Sequence, residues 1–254
     1  MIKKEINIFI AAIAFFTRIR IRIPDSCNSL HFNQAVRYLP WLGFLIGASS
    51  ALIFWLAMFI FPLSVAVLLA MLVPVLITGA FHEDGLADVF DGFGGGYSRE
   101  RILEIMKDSR IGTFGVVSLI FALFFRYELL TSMPVSLTPF VLILGSSLSR
   151  FFILPTMHWL AYARNDETSK AKPVIKTVSW SDMAIAFIPV IAAFWLMHNL
   201  YFVLVILPLL ITNRWLSAYF NKKIGGYTGD CLGAIQQISE IIIYLSLLAC
   251  IKMF

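Results

Sequence analysis

The sequence predicts an all-α integral membrane protein: a polytopic helical bundle of about six full spans plus a short N-terminal interfacial or re-entrant helix. Of its 254 residues, 59% are hydrophobic and 14% are charged, and the mean hydropathy is +0.85. A soluble domain carries about 25% charged residues. The apolar residues also fall in runs of about 20, which is the length that crosses a hydrocarbon core about 30 Å thick. We expect a single membrane domain over residues 1–254.

The N-terminal apolar segment, residues 6–16, is short for a full span, and we expect it to lie at the membrane interface or to re-enter. No small-residue cleavage site follows it, so the sequence predicts that the segment stays in the mature protein. Arg18, Arg20 and Arg22 alternate with isoleucines. In an extended strand these arginines would share one side, where they could contact either anionic lipid headgroups or a substrate phosphate.

Seven longer apolar segments follow, and the fifth and sixth are short enough to cross only part of the membrane. The predicted segments are Trp41–Phe61, Leu63–Phe81, Gly112–Leu130, Pro139–Leu160, Met183–Met197, Leu200–Leu216 and Ala234–Lys252.

The connections between these segments alternate in charge. The connections around Pro62, in 131–138 and at 198–199 are short and almost uncharged. The charged stretches are 1–40, 82–111, 162–182 and 217–232. Loops rich in Lys and Arg stay in the cytoplasm, so we expect all four charged stretches at the cytoplasmic face of a bacterial cytoplasmic (inner) membrane.

The acidic residues are concentrated in one of these loops. Seven of the fifteen fall between Glu83 and Asp108. On a helix Asp84, Asp88 and Asp91, spaced i, i+4, i+7, project from one face, and such oxygen ligands suit Mg²⁺ with substrate phosphates completing its shell. A merely solvated acidic face would carry interspersed lysines, and residues 82–98 contain none. The spacing therefore predicts a metal-dependent, phosphoryl-type transfer site at the membrane surface.

Three features flank the aspartates. Gly94, Gly95 and Gly96 would allow backbone N–H groups to cradle phosphate oxygens, although a plain loop explains them almost as well. His82 could act as a general base or support a metal ligand. Glu83 joins the aspartates as a candidate catalytic carboxylate.

A short amphipathic helix is predicted from Arg99 to Lys107, with Ser98 as its N-cap. It would deliver Asp108 and Arg110 to the start of the next span. We expect Lys107 and Arg110 either to bind phosphate or to anchor the cytoplasmic face.

Arg150 lies near the middle of an apolar segment, beside several serines. A charged group there is costly unless it faces a polar interior, which predicts either a phosphate-binding residue or a structural Arg–Asp pair. A second polar motif covers 222–240: Thr228 and Asp230 precede the last span, and Glu240 lies about two turns into it. Asp230 could simply cap that helix, whereas Glu240 should face the protein interior.

Three long motifs resemble the adenosylcobinamide-GDP ribazoletransferase (cobalamin synthase) family. They are His82–Glu83–Asp84–Gly85–Leu86–Ala87–Asp88 with Asp91–Gly92, then Met106–Lys107–Asp108–Ser109–Arg110–Ile111–Gly112–Thr113–Phe114–Gly115, and Gly225–Gly226–Tyr227–Thr228–Gly229–Asp230–Cys231–Leu232–Gly233–Ala234. Phe16–Thr17–Arg18 and Pro40–Trp41–Leu42–Gly43 also match, so the resemblance extends over the whole chain. Among the N-terminal arginines only Arg18 fits the family's pattern.

The resemblance implies the last assembly step of cobalamin synthesis. A hydroxyl of α-ribazole, or of its 5′-phosphate, attacks the cobinamide-bound phosphate of adenosylcobinamide-GDP, and GMP leaves. It implies Mg²⁺ as cofactor, Arg110, Lys107 and Arg150 as phosphate-binding residues, and Glu83 or Asp91 as the group that orients the hydroxyl. The implied partners are these substrates and the lipid bilayer, with no nucleic acid. A homo-oligomer and association with other enzymes of the pathway are both compatible with it.

Three other functions compete with this one. A membrane CDP-alcohol phosphotransferase also uses spaced aspartates, but places an Arg where this chain has Asp88. A polyprenyl transferase needs two symmetrical acidic loops, and the Thr228–Asp230 loop is too poor in acids. A cation-coupled transporter predicts ionisable groups at mid-membrane in several helices and an inverted repeat; the sequence suggests neither.

Overall fold

The computed structural model describes residues 2–24, 27, 29–164 and 178–253, and within them it is all-α, without a named strand. The α-helices are α1 (Ile2–Phe16), α2 (Ser29–Gln34), α3 (Leu39–Ala57), α4 (Leu63–Thr78), α5 (Phe81–Gly95), α6 (Arg99–Ile105), α7 (Thr113–Thr131), α8 (Thr138–Phe151), α9 (Ile153–Trp159), α10 (Trp180–Leu196), α11 (Ile206–Ile224) and α12 (Gly229–Met253). Two 3₁₀ helices, Ala35–Tyr38 and Leu200–Val205, lead into α3 and α11. The predicted fold class is confirmed.

Five helical stretches in the described part of the chain are long and apolar enough to cross a membrane, and a sixth counts if α4 and α5 are taken together. The five are His31–Ala57, Thr113–Thr131, Thr138–Trp159, Tyr201–Ile224 and Gly229–Met253. The apolar helix α10 is shorter. The protein is a multi-pass membrane protein.

The acidic motif lies on a helix that turns away from its predecessor. Helix α4 ends at Thr78, because Gly79 adopts the left-handed conformation (φ 71°) and Ala80 follows it there (φ 60°). The next helix, α5, runs at 87° to α4. Because α4 is apolar and α5 carries the acidic residues, we assign α4 to the membrane and α5 to its surface. The expectation of one span over Leu63–Phe81, followed by an acidic loop, is wrong in this respect.

Other predicted boundaries shift for local reasons. The span expected at Pro139–Leu160 divides into α8 and α9, with Pro155, which has no N–H to donate, in the first turn of α9. Helix α11 continues to Ile224 and ends at Gly225, which is left-handed (φ 74°). Only 225–228 connect α11 to α12, so most of the charged stretch 217–232 is helical.

The four charged stretches meet at one end of the bundle. Arg37 forms ion pairs with Glu5 (2.8 Å) and Asp182 (3.3 Å), joining the N-terminal stretch to the one before α10. Arg99 donates hydrogen bonds to the carbonyl oxygens of Ile224 (2.9 Å) and Ala163 (2.7 Å), joining three of the charged stretches. The alternation of charge along the chain thus corresponds to a charged end of the bundle, although 165–177 of the predicted loop 162–182 lie outside the described residues.

The N-terminal helix packs onto this charged end. Its residues Ala11 and Ala12 are buried. The extended stretch that follows it is linked to α4 by a backbone hydrogen bond from the Arg18 N–H to the Ile77 carbonyl oxygen (2.7 Å). The side chains of Arg18, Arg20 and Arg22 are all exposed. Ile19 is also exposed, so the side of this stretch that carries the isoleucines is not covered by the bundle either.

Candidate active site

Two glycines allow the acidic helix α5 to cross the first turns of α12 in close contact. A Cβ added at Gly85 would lie 2.9 Å from the Asp230 carbonyl oxygen and 3.2 Å from the Gly233 Cα. A Cβ added at Gly233 would lie 3.1 Å from the His82 carbonyl oxygen. Any larger residue would push the helices apart, so the glycines bring the two sequence motifs together.

The contact gathers carboxylates from both motifs. Asp84 is exposed, whereas Asp88 and Asp230 are partly buried, and all three interact electrostatically. Arg164 forms an ion pair with Asp230 (2.8 Å) and is also the cation that acts on Asp88. Sequence reasoning missed Arg164, since it is one of several charges in a predicted loop and its partner lies 66 residues away.

The pKa of Asp88 reflects its burial and the negative charges around it. Burial, together with the negative charges of Asp230, Asp84 and Asp91, raises the pKa of the Asp88 carboxyl from 3.8 to about 7, and Arg164 opposes the shift only in part. The cluster therefore has an excess of negative charge that protonation at Asp88 relieves.

The cluster suits Mg²⁺ by its donor chemistry. Within the described part of the chain no three His, Cys, Asp or Glu side chains form a preformed metal-binding group. Mg²⁺ is commonly held by one or two carboxylates together with substrate phosphates and water, so a loose carboxylate set fits it better than a closed cage would. The excess negative charge around Asp88 is the observation that favours a cation here.

Asp91 has a structural role that the sequence spacing did not predict. Its carboxylate accepts hydrogen bonds from the backbone N–H groups of Gly112 (2.7 Å) and Gly115 (2.8 Å). These donors belong to the first turn of α7, whose N-cap residue, Gly112, has no side chain to offer. Asp91 therefore caps α7 from another helix. Its predicted role as a metal ligand stays a prediction.

The glycine run is not a phosphate-binding loop. Gly94 and Gly95 form the last turn of α5, and the Gly96 N–H donates to the Gly92 carbonyl (2.9 Å). N–H groups held within a helix cannot also cradle a phosphate, so the expected loop is wrong. A Cβ at Gly94 would lie 2.8 Å from the Phe114 ring, which gives this glycine a packing role.

The residues after the predicted amphipathic helix lie on the surface. Ser98 accepts a hydrogen bond from Arg101 N–H (3.2 Å), which confirms it as the N-cap of α6. Arg110 forms a local ion pair with Asp108 (2.7 Å) and its side chain is 88% exposed. Hydrogen bonds from Arg110 lower the pKa of Asp108 to about 2. Lys107 is exposed too, so these groups are accessible but are not part of the α5–α12 contact.

The start of α12 is fixed by Thr228. Its hydroxyl accepts a hydrogen bond from the Cys231 N–H (3.3 Å) and is fully buried. It also lies 3.4 Å from the Asp230 carboxylate. Thr228 thus acts as a capping residue that holds Asp230 in place.

Arg18 lies beside the turn between α4 and α5, where a Cβ added at Gly79 would meet its side chain.

Beneath the carboxylates lies a buried polar network that joins three helices. Arg126 of α7 forms ion pairs with Glu240 of α12 (2.9 Å) and Glu83 of α5 (3.7 Å), and it is 3% exposed. Gln237 donates to Glu83 (3.0 Å) and accepts from Arg126 (3.2 Å). Tyr244 donates to Glu240 (2.8 Å). The expectation that Glu240 faces the interior is confirmed.

This network corrects two inferences from the sequence. Sequence reasoning passed over Arg126, although it is a lone arginine within an apolar span, as Arg150 is. Besides the expected Arg150 and Glu240, Glu83 and Arg126 are buried as well, so buried ionisable groups lie in more helices than the sequence suggested. Glu83 accepts a hydrogen bond from Gln237 and Asp91 caps α7; the role predicted for one of them, orienting a substrate hydroxyl, stays a prediction.

Arg150 lies in the same interior. It is 2% exposed, and its Nη1 donates to the Ser146 carbonyl (2.9 Å) and hydroxyl (2.7 Å). The carboxylates that act on it electrostatically are Glu240 and Glu83, although no carboxylate in the described part of the chain lies within 4.0 Å. The prediction that it faces a polar interior is confirmed, and its phosphate-binding role stays a prediction.

Arg150→Lys is expected to lower the melting temperature and the turnover together. Lysine has one nitrogen on a thinner side chain, so it leaves the space beside Ser146 and Gly43 poorly filled while keeping a buried charge. Thermal unfolding of the purified variant measures this directly. A wild-type melting temperature with reduced turnover would instead support a phosphate-binding role.

The bundle and its charged, partly open carboxylate site define an integral membrane enzyme of the transferase class. The chain belongs to the cobalamin-5-phosphate synthase family, whose model matches residues 8–248. This confirms the resemblance drawn from the motifs. It leaves the phosphotransferase, polyprenyl transferase and transporter alternatives without support.

Named relatives match nearly the whole chain. The adenosylcobinamide-GDP ribazoletransferase of Shewanella amazonensis is 44% identical over 250 residues, 97% of this chain and 96% of that protein. The protein of the same name from Vibrio cholerae serotype O1 is 40% identical over 251 residues, covering 98% of this chain and 96% of the relative. No solved structure matches this chain.

Proposed function

We propose that this protein joins adenosylcobinamide-GDP to α-ribazole, or to α-ribazole 5′-phosphate, and releases GMP. The observation that carries the proposal is the contact of α5 with α12, which places Asp84 and Asp88 of one motif beside Asp230 of the other. The names of the relatives point to the same substrates. We further propose that the charged end of the bundle faces the cytoplasm of a bacterial cell, across its cytoplasmic membrane.

Mg²⁺ is the proposed cofactor, held by Asp84, Asp88 and Asp230. When bound, it would neutralise the diphosphate of adenosylcobinamide-GDP and the negative charge on the leaving GMP. We expect two arginines to contact the phosphate oxygens that Mg²⁺ does not bind. They are Arg164, which forms an ion pair with Asp230, and the exposed Arg18 near the start of α5. Phosphoryl transfer needs little more than positioning and charge stabilisation, and these residues provide both.

In the proposed reaction a ribose hydroxyl forms a new bond to the cobinamide-bound phosphorus, and the bond from that phosphorus to the GMP oxygen breaks. The hydroxyl proton passes to a carboxylate of the cluster or to water. The assay uses the purified, membrane-reconstituted protein with adenosylcobinamide-GDP, α-ribazole and Mg²⁺. Equal amounts of GMP and of the joined corrinoid are expected, and the absence of both would refute the proposed activity.

The affinity for Mg²⁺ is expected to rise with pH around the pKa of Asp88. Below pH 7 this carboxyl is protonated, and a metal must displace the proton. Titration calorimetry between pH 6 and about pH 8 should therefore find tighter binding and less proton release at the higher pH. Asp88→Asn should remove this dependence, and an unchanged pH profile in that variant would contradict the assignment.

Without metal, the stability of the protein should fall as the pH rises, whereas the affinity for Mg²⁺ rises. Between the ordinary pKa of 3.8 and the folded-state value of about 7, the folded protein keeps a proton on Asp88 that the unfolded chain has released. The contribution of Asp88 to stability therefore falls as the pH rises through this range. The difference in melting temperature between wild type and Asp88→Asn, measured without metal, isolates this contribution.

A further inference from the structure

A cavity of about 150 Å³ lies directly beside the carboxylate site. Its lining includes His82 at the start of α5 together with Gly229 and Gly233 at the start of α12. These are the same two helix starts that carry Asp84 and Asp230. A ligand in the cavity would therefore lie next to the proposed reaction centre.

The walls of the cavity are mainly aromatic and aliphatic. Phe15, Phe16 and Phe81 form one aromatic group, with ring centroids 4.9 Å and 6.2 Å apart in successive pairs. Tyr162 and Tyr227 form a second, with centroids 5.6 Å apart. An apolar cavity of this volume holds a benzene-sized ring, and because this one is partly open, a larger ring system can extend beyond it. Its aromatic walls favour a flat aromatic ligand.

Two residues of the lining carry polar atoms with unmet hydrogen-bonding capacity. Nε2 of His82 and the hydroxyl of Tyr227 have no hydrogen-bond partner among the residues that the structure describes, and the two residues are only 2% and 1% exposed. Buried polar groups are nearly always paired, so each unpaired one needs an explanation. A ligand that brings one polar atom into an otherwise apolar space would supply the missing partner.

We infer that this cavity binds the heteroaromatic base of the acceptor nucleoside, the dimethylbenzimidazole of α-ribazole. The inference rests on the proposed function. The base is flat, mainly apolar and bicyclic, and its one free ring nitrogen can accept a hydrogen bond from the Tyr227 hydroxyl or from His82. With the base in the cavity, the ribose extends past Gly229 toward Asp230 and Asp84.

Guanine, the other base in the reaction, fits the cavity less well. Its edge presents several donors and an acceptor, which would have to be paired on leaving water. No acidic side chain is among the residues that line the cavity. The carboxylates that could pair with guanine lie outside it, on the face of α5 that is open to solvent.

The first test is a substitution that makes the cavity smaller, at a lining residue with no proposed catalytic role. Val36 lines it from the 3₁₀ helix before α3 and is 2% exposed. Val36→Phe is expected to raise KM for α-ribazole by about tenfold or more, with KM for adenosylcobinamide-GDP and the turnover at saturation almost unchanged. Val116→Phe is the matched control, since it makes the same change on α7 at a residue that is 40% exposed. It should leave both KM values as in the wild type.

A second variant removes only the unpaired hydroxyl. Tyr227→Phe keeps the ring and its packing, so its melting temperature should equal or exceed that of the wild type. Its KM for α-ribazole should rise about two- to tenfold, the effect of one lost hydrogen bond. This variant keeps the inference testable if Val36→Phe does not fold.

Binding of the base alone separates this inference from the proposed activity. Free 5,6-dimethylbenzimidazole should raise the melting temperature of the wild type and of Val116→Phe, but not of Val36→Phe. A wild type that binds the base but releases no GMP would refute the activity and leave the cavity assignment standing. An active enzyme whose KM for α-ribazole is unaffected by Val36→Phe, or whose KM for adenosylcobinamide-GDP rises instead, would overturn the cavity assignment.

Discussion

Asp84→Asn and Asp88→Asn are each expected to lower the rate of GMP release by about 10²–10³-fold, the usual effect of removing one preorganised electrostatic group from an active site. Asp84 is exposed, so its substitution should leave the folded protein intact. Asp88→Asn removes one of several mutually repelling carboxylates and should not lower the melting temperature. The measurement is turnover at saturating Mg²⁺, alongside thermal unfolding of the same preparations.

Glu104→Gln provides the matched control. It makes the same change of charge at the same end of the bundle, but on the surface of α6, where Glu104 forms an ion pair with the exposed Arg101. Turnover of this variant should equal that of the wild type. Near-normal turnover in both Asp84→Asn and Asp88→Asn would sink the assignment of the site to the α5–α12 contact.

Asp91→Asn distinguishes a metal ligand from a helix cap. The two N–H groups of Gly112 and Gly115 donate to different oxygens of the Asp91 carboxylate. In asparagine an NH₂ group replaces one of these oxygens, so one of the two N–H groups loses its acceptor. A loss of about 0.5–2 kcal/mol in the free energy of unfolding is expected, as for other lost caps. If turnover instead falls sharply at unchanged stability, the metal set predicted from the i, i+4, i+7 spacing would be supported.

The parts of the site that sequence could predict are those with local causes. The common face of Asp84 and Asp88 follows from helical periodicity alone, and the cap at Ser98 follows from residue type. Glu240 could be placed in the interior because a charged side chain about two turns into an apolar span is costly in lipid. Each of these needs only the residues within a few turns of the one concerned.

The parts that sequence could not predict depend on distant contacts. Periodicity puts Asp91 on the same face as Asp84, but only the position of α7 makes it a cap. The approach of Asp230 to Asp88 requires α5 and α12 to meet at Gly85. The ion pair of Arg164 with Asp230 depends on another distant contact, in which the Ala163 N–H donates to the Tyr227 carbonyl oxygen (2.8 Å). Arg126 is different, because it also lies within an apolar segment, but near its end and close to Glu128, where a position at the membrane surface was an equally good explanation.

Arg126→Leu is expected to destabilise the protein by about 3–5 kcal/mol, since it leaves buried carboxylates without their closest cation. In the wild type the interior holds Glu83 and Glu240 against Arg126 and Arg150, a neutral set within an apolar bundle. Removal of one arginine leaves an uncompensated negative charge where few waters can reach it. The readout is the melting temperature and the yield of folded protein in lipid or detergent.

The double variant Arg126→Leu/Glu240→Gln decides whether charge balance or side-chain packing causes the loss. It removes one charge of each sign and leaves Glu83 with Arg150, so much of the stability should return if the cost is electrostatic. Arg101→Gln, which breaks the exposed pair with Glu104, is the control and should change the melting temperature little. The network supports α5, because Gln237 of α12 donates a hydrogen bond to Glu83 of α5. Loss of the network should therefore also reduce turnover, and the double variant should recover turnover to the same extent as stability. A wild-type melting temperature for Arg126→Leu would mean that water or lipid headgroups already reach this interior, and the network could then not be the element that holds α5, α7 and α12 together.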